Sequence, residues 1–261
     1  GLGDVYKRQV AHRGNLKSAV VGQAQHPDSP RYLVTGASSG IGRAVCRRLL
    51  QRGYRVTGLS RTVKQDMFEE RGAFNAVPCD LRDFRETERL VKSLLKTEPA
   101  FSGAVFCAGA GYFGTLEQLE FGKIQALLEL NLLSPMLISK LLIPGLKSRA
   151  QGRLVFLGSE AALQGSKNGT AYCASKFGLR GFVQALSTEC RQAGVNVSLI
   201  NPGMVDTPFF NTLHFRPGQD SSNHVPLETL VDCVENILHA DANAVIDEIN
   251  LSPRNRVISF K

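Results

Sequence analysis

The sequence predicts an α/β fold, a Rossmann-type doubly wound parallel sheet forming a single domain. Three observations carry the prediction. Short apolar runs of β type recur along the chain, longer stretches of helical period separate them, and a glycine-rich turn directly follows the first run. Strands buried on both faces read as short continuous apolar runs, the signature of a parallel sheet covered by helices. A chain of 261 residues is long enough to bury such a core as one unit.

The elements follow in order. Residues 32–34 form the first apolar run; after the glycine turn comes an amphipathic stretch carrying Ile41, Ala44, Val45, Leu49 and Leu50, and then a second run at 55–59. Further runs stand at 74–77, 104–106, 154–157, 195–200 and 244–249. Stretches of helical period occupy 84–95, 121–133, 171–192 and 227–238, and 209–226 is expected to be an irregular insertion before the last helix. Residues 1–30 lack an initiating Met, a periodic pattern and a signal-type apolar core. They read as a non-native or disordered leader, the alternative being an organelle transit peptide with Lys7, Arg8, Arg13 and Lys17 against two acids. The oxidoreductase-type domain is placed at 31–261.

Composition narrows the function. With 43% hydrophobic and 21% charged residues the chain is of ordinary globular make-up. Its net charge of +8 is spread along the chain without a dense Lys/Arg run or an aromatic-interleaved basic stripe, so nucleic acid is not expected as a partner. The six cysteines show no C-x-x-C spacing and no nearby His, which argues for no metal and for a reducing, cytoplasmic setting. No membrane span is expected, because the longest apolar region, 127–146, is interrupted by Glu129, Asn131, Ser134, Pro135, Lys140 and Pro144.

The glycine turn is the first functional signal. Thr35-Gly36-Ala37-Ser38-Ser39-Gly40-Ile41-Gly42 lies between the first strand and the first helix, where amides and the helix dipole receive a pyrophosphate. The second strand ends in Leu59-Ser60-Arg61-Thr62 with no acid at the tip. An NAD site usually places Asp or Glu there, whereas Ser60 and Arg61 suit a 2′-phosphate. NADP (NADPH) is therefore expected in preference to NAD; the alternative is that Arg61 is a plain surface residue.

Tyr172 and Lys176 stand four apart at a helix start and so share one face. Ser159 follows the 154–157 run, at the strand end where open sheets bind ligands. Together with Asp80-Leu81, Ala108-Gly109, Asn131 and Asn201-Pro202-Gly203-x-x-x-Thr207, in this order and spacing, these residues resemble the short-chain dehydrogenase/reductase family in its compact single-domain branch. The resemblance implies an NADP-dependent enzyme moving a hydride between nicotinamide and a carbonyl or secondary alcohol. Tyr172 would be the general acid/base, Lys176 would supply positive field and hold the nicotinamide ribose, Ser159 would orient the substrate oxygen, and Asn131 would hold a water leading from Lys176. Asp80 and Leu81 would border adenine, Ala108 and Gly109 would lie along the cofactor, and Pro202, Gly203, Val205 and Thr207 would flank nicotinamide and pyrophosphate.

One departure stands out. The family usually carries Asn-rich residues before Ala108-Gly109, where this chain has Phe106-Cys107, read as a tolerated variant with Cys107 structural. Substrate choice is assigned to 205–226, whose Phe209, Phe210, Leu213, His214 and Phe215 form either a partly apolar pocket wall or ordinary packing. Two alternatives stay open: a 3-oxoacyl thioester reductase of lipid synthesis, and a catalytically silent NADPH-binding sensor. A homodimer or homotetramer is expected through the apolar helices at 121–133 and 171–192.

Overall fold

The computed structural model describes residues 29–70, 72–97, 100–241 and 243–261; almost all of the leader lies outside them. Seven parallel strands form the central sheet in the order β3-β2-β1-β4-β5-β6-β8. They are β1 (Arg31–Thr35), β2 (Arg55–Ser60), β3 (Phe74–Pro78), β4 (Phe101–Phe106), β5 (Gly152–Leu157), β6 (Val195–Pro202) and β8 (Glu248–Leu251). The order reverses between β1 and β4, which pair directly, so the crevice at the carboxyl ends of these two strands is the switch point of a doubly wound sheet.

Alternation along each strand feeds two cores. In β1, Tyr32 and Val34 pack on one face with Val45 and Leu49 of α1 (Gly40–Gln51) and Leu230 and Val234 of α6 (Leu227–His239). Leu33 points to the other face, where α2 (Phe84–Leu94), α4 (Ser134–Ser148) and α5 (Thr170–Arg191) bring Val91, Ile138, Leu142, Leu179 and Val183. The two apolar layers make the sheet's burial mutual and fix its register.

Three expectations are corrected. The helical stretch at 121–133 does not end there: α3 (Phe121–Leu128), a π turn at Glu129–Leu133 and α4 run on to Ser148. The resulting 28-residue helix is long and apolar enough by length and composition to cross a bilayer, with a mean hydropathy of 1.6 in its most apolar window. Pro135 directly follows the π turn and Pro144 lies further on, so the continuous helix accommodates two residues that lack a backbone donor. One face of this helix belongs to the core, with Ile138, Leu142 and Leu146 fully buried. The last sheet strand begins at Glu248 rather than 244, because pairing with β6 starts at Leu199↔Glu248. The 209–226 insertion contains β7 (Phe215–Pro217), which pairs antiparallel with β9 (Ile258–Phe260) near the end of the chain.

Candidate active site

Because the sheet is parallel, every predicted site segment that follows a strand falls on one edge. Gly36 to Gly42 follow β1, Ser60 ends β2 with Arg61 next, Asp80 and Leu81 follow β3, and Ala108 and Gly109 follow β4. Ser159 follows β5, Pro202 ends β6, and Gly203, Val205 and Thr207 come directly after it. A Cβ built on Gly40 would lie 3.5 Å from the Thr207 side chain, so the loop after β6 reaches the start of α1.

The turn after β1 is shaped to present backbone. Gly36 has φ +71°, and its amide donates to the Leu59 carbonyl at 2.8 Å. Gly42 packs so closely that a Cβ there would lie 2.3 Å from the Gly36 carbonyl oxygen. At the N-cap, the Ser39 side chain makes no capping bond and the first turn of α1 carries no acid. Its amides and dipole thus remain available to an anion. The Ser60 hydroxyl is buried and has no partner among the described residues. Beside it, Arg82 grips Asp80 through Nε at 3.1 Å and Nη2 at 2.6 Å. That contact, with a smaller contribution from Arg61, holds the Asp80 carboxyl down at about 2.

The second half of the site is built around α5. Tyr172 and Lys176 are both buried, at 8% and 5% exposure. Burial pushes the Tyr172 hydroxyl up to about 12, opposed by its hydrogen bond with the Ser159 side chain. Burial brings the Lys176 ammonium down to about 8, opposed by the nearby Cys107. The Lys176 Nζ donates to the Leu157 carbonyl at the end of β5 at 2.9 Å and lies 5.9 Å from the centre of the Tyr172 ring. Ser159, Tyr172 and Lys176 are therefore gathered at one strand end.

Asn131 sits in the π turn, 1% exposed. Its Oδ1 accepts from the Ala110 amide at 2.9 Å, while Nδ2 donates to the Ala110 carbonyl at 3.0 Å and to Ser175 Oγ at 3.1 Å. Ser175 Oγ in turn donates to the Tyr172 carbonyl at 2.7 Å. Asn131 thus ties the loop after β4 to the helix carrying Tyr172, and both of its side-chain donors are used. A single π turn is a frequent device for setting one residue off the helical period at a site.

Sequence reasoning missed several contributors. Ser175, between Tyr172 and Lys176, is fully buried, and a buried hydroxyl in a helix has to find a partner. Asn201 Oδ1 accepts from the Ser159 amide at 3.3 Å, and its Nδ2 donates to Glu248 and Asn250 of β8, so a sheet-edge network positions Ser159. Arg82, two residues from Asp80, had no motif to mark it. The bracing that Phe106-Cys107 would lack is supplied otherwise: the Ala108 amide donates to Thr35 Oγ1 at 3.1 Å, and Phe106 stacks on Phe156 at 4.3 Å. Cys107 is held up at about 12 by burial, with Lys176 pulling it down.

Lys176 makes the site pH-sensitive. Its charge is lost as pH rises through about 8, well below an ordinary lysine. Binding of an anionic ligand at this site is expected to weaken above pH 8, where the ammonium charge goes, as read by titration against pH. Tyr172, at about 12, adds no limb in this range. A profile flat to pH 9.5 would show that the Lys176 charge is not used.

A doubly wound sheet with an uncapped glycine turn at its switch point defines a dinucleotide-type site, with a tyrosine–lysine–serine group beside it. Residues 31–216 match the family model described as short chain dehydrogenase, and the chain belongs to that family. It is 30% identical over 189 residues to 3-ketodihydrosphingosine reductase of Bos taurus, covering 68% of this chain and 57% of the relative. It is 33% identical over 201 residues to estradiol 17-beta-dehydrogenase 1 of Rattus norvegicus, covering 73% and 58%. The chain thus spans less than two thirds of the length of these two relatives. Against the 3-oxoacyl-(acyl-carrier-protein) reductase FabG of Buchnera aphidicola, identity is 28% over 200 residues, covering 75% and 81%. Among solved structures, a variant of actinorhodin polyketide ketoreductase with NADPH superposes at TM-score 0.78 with 26% identity, covering 88% of this chain and 98% of that one. A metagenomic short-chain oxidoreductase in complex with NADP superposes at 0.75 with 27% identity, covering 87% and 99%.

Proposed function

We propose that this chain moves a hydride between nicotinamide and a carbonyl or secondary-alcohol carbon, with NADP(H) as its cofactor and Tyr172 as its acid/base. The observation that carries the reading is the meeting of Ser159, Tyr172 and Lys176 at the end of β5, beside the switch point. The residues present fit a dinucleotide: the amides of α1 are uncapped, Gly36 and Gly42 let the turn close, and the Ser60 hydroxyl is buried without a described partner. The bound nicotinamide supplies or takes the hydride. Ser159 orients the substrate oxygen, and Tyr172 gives it a proton in reduction and removes one in oxidation. Lys176 supplies positive field that favours the tyrosinate and a donor for the nicotinamide ribose, while Asn131 and Ser175 hold that helix in place.

NADP is preferred to NAD because Arg61 and Arg82 set two guanidiniums against the single Asp80 carboxylate, leaving net positive charge at the adenosine end. The NADPH in the polyketide ketoreductase and the NADP in the metagenomic oxidoreductase support the same choice. Following NADPH and NADH consumption with a carbonyl panel tests both halves. Arg61→Ala is expected to raise KM for NADPH by about tenfold or more, the worth of a charge-assisted hydrogen bond, and to leave KM for NADH within about twofold. Equal use of the two cofactors by wild type would overturn the NADP assignment alone.

A second reading, reduction of a 3-oxoacyl thioester, draws on the match to the Buchnera reductase, with the basic surface favouring an acidic carrier. Turnover of carrier-linked against free substrates separates it. Self-association through the long helices is supported by Leu133, Met136 and Phe177, exposed by 43%, 37% and 43%. Light scattering at micromolar concentration is expected to give the mass of a dimer or tetramer, and a monomer mass contradicts this.

A further inference from the structure

The proposed chemistry uses none of the phenylalanines that surround Tyr172. Phe113, in the loop after β4, lies 5.1 Å ring to ring from Tyr172. Phe209, in the loop after β6, lies 6.3 Å from it. Phe215 stands 5.0 Å from Phe113 at 82°, and Phe210 joins Phe209 and Phe215 at 5.3 and 5.9 Å. Phe113 and Phe209, beside the buried Tyr172, and Phe215, one ring further out against Phe113, are only half-buried, so each keeps surface uncovered.

This gathering depends on Gly111. A Cβ at that position would fall 2.7 Å from the Phe209 ring and 2.8 Å from the Phe113 ring. Only a residue without a side chain lets both rings close in above Tyr172. Packing for stability alone tends to finish in fully buried side chains. Here partly open rings from two loops, about a hundred residues apart in sequence, stand at steep angles around a proton donor.

The cations near these rings already have partners. Arg216 pairs with Asp206 at 3.2 Å, and Lys261, just after β9, donates through Nζ to the Phe210 and Asn211 carbonyls at 2.6 and 3.2 Å. An anionic group placed among the rings would lose hydration without gaining one of these cations. A flat ring does better there, stacking on one phenylalanine while meeting another edge-on, the two arrangements that aromatic quadrupoles favour.

The geometry points to a neutral ketone with a planar ring next to its carbonyl as the substrate class, with Phe113, Phe209 and Phe215 as the walls that hold the ring. This rests on the reading of Tyr172 as the acid that protonates the carbonyl oxygen. In the balanced reaction, hydride from NADPH would form the new C–H bond, the Tyr172 proton would complete the hydroxyl, the tyrosinate would take a proton back from water, and NADP⁺ would leave.

The test compares acetophenone, 2-butanone and 3-oxobutanoate at saturating NADPH. kcat/KM for acetophenone is expected to exceed both others by about tenfold or more, the worth of burying a ring. Phe209→Leu, and independently Gly111→Ala, which moves both rings, are expected to cut the acetophenone-to-butanone ratio about tenfold. Preference for either other ketone, or an unchanged ratio in both variants, overturns the inference while leaving the Tyr172 reading in place. A second readout needs no turnover: benzamide and acetamide are titrated calorimetrically into the NADP-loaded protein. Benzamide binding about tenfold tighter or more supports the ring walls even if no ketone is reduced, in which case only the Tyr172 reading fails. Equal or weaker benzamide binding overturns the walls.

Discussion

Replacing Tyr172 by Phe is expected to lower kcat for carbonyl reduction by about 10²- to 10⁴-fold, the usual worth of a positioned acid, with cofactor affinity within about threefold of wild type. The ring stays, so the contacts with Phe113 and Phe209 survive; what goes is the hydroxyl that meets Ser159. Burial holds that proton on up to about pH 12, so the group is in its acid form throughout the neutral range in the free protein. The reverse reaction needs the base form, and there the Lys176 charge matters most. Steady-state kcat and fluorescence titration with NADPH check the two halves. Retained turnover with unchanged binding would remove Tyr172 from the chemistry.

Gly42→Ala is expected to have the largest effect on the scaffold. The added methyl would meet the Gly36 carbonyl oxygen at 2.3 Å, its carbon at 2.7 Å and the Thr35 oxygen at 3.0 Å, all backbone atoms that cannot swing aside. The helix must then lift from the strand, at a cost of about 1–3 kcal/mol or more. For a domain of this size that lowers Tm by roughly 3–10 °C. The same movement breaks the phosphate cradle, so Kd for NADPH is expected to weaken by more than about tenfold, and the rise in Tm on adding NADPH largely disappears. Thermal unfolding with and without NADPH reads both effects. A variant with wild-type Tm and a wild-type cofactor shift would show that the turn does not carry this packing.

The sheet and the edge where its C-terminal strand ends meet were legible because they rest on local signals. Apolar runs buried on both faces name the strands, and in a parallel sheet their C-terminal ends share one edge, so Gly36, Ser60, Asp80, Gly109, Ser159 and Gly203 had to converge once the strands were placed. What stayed hidden depends on contacts that no period encodes. Pro135, a residue that ordinarily ends a helix, follows the π turn at Asn131, so the local sequence predicts a stop at 133 where the helix runs on to Ser148. Three-residue strands some forty residues apart gave no hint that β9 would pair with β7. Ser175 and Asn201 act through buried hydrogen bonds to Asn131 and Ser159, and only the folded geometry shows those partners. Phe113 lay outside the segment assigned to substrate choice, yet it lies nearer to Tyr172 than Phe209 does.

Two features of the site reinforce one another. Burial brings Lys176 down to about 8 and holds Cys107 up at about 12, so an uncharged thiol stands near the ammonium, at a position where the resemblance leads one to expect Asn. Bracing by Thr35 and by the Phe106–Phe156 stack keeps β4 in register despite this change. The substitution therefore alters the surroundings of Lys176 while leaving the strand order intact.

The most direct test of hydride transfer is isotopic. The protein is incubated with NADPH bearing deuterium at C4 of the nicotinamide, on each face in turn, together with the ketone panel, and the products are read by mass spectrometry. Deuterium is expected on the carbinol carbon from one face only, in wild type and not in Tyr172→Phe. NADPH binding with no deuterium in any product would contradict hydride transfer and leave a protein that holds the cofactor without using it.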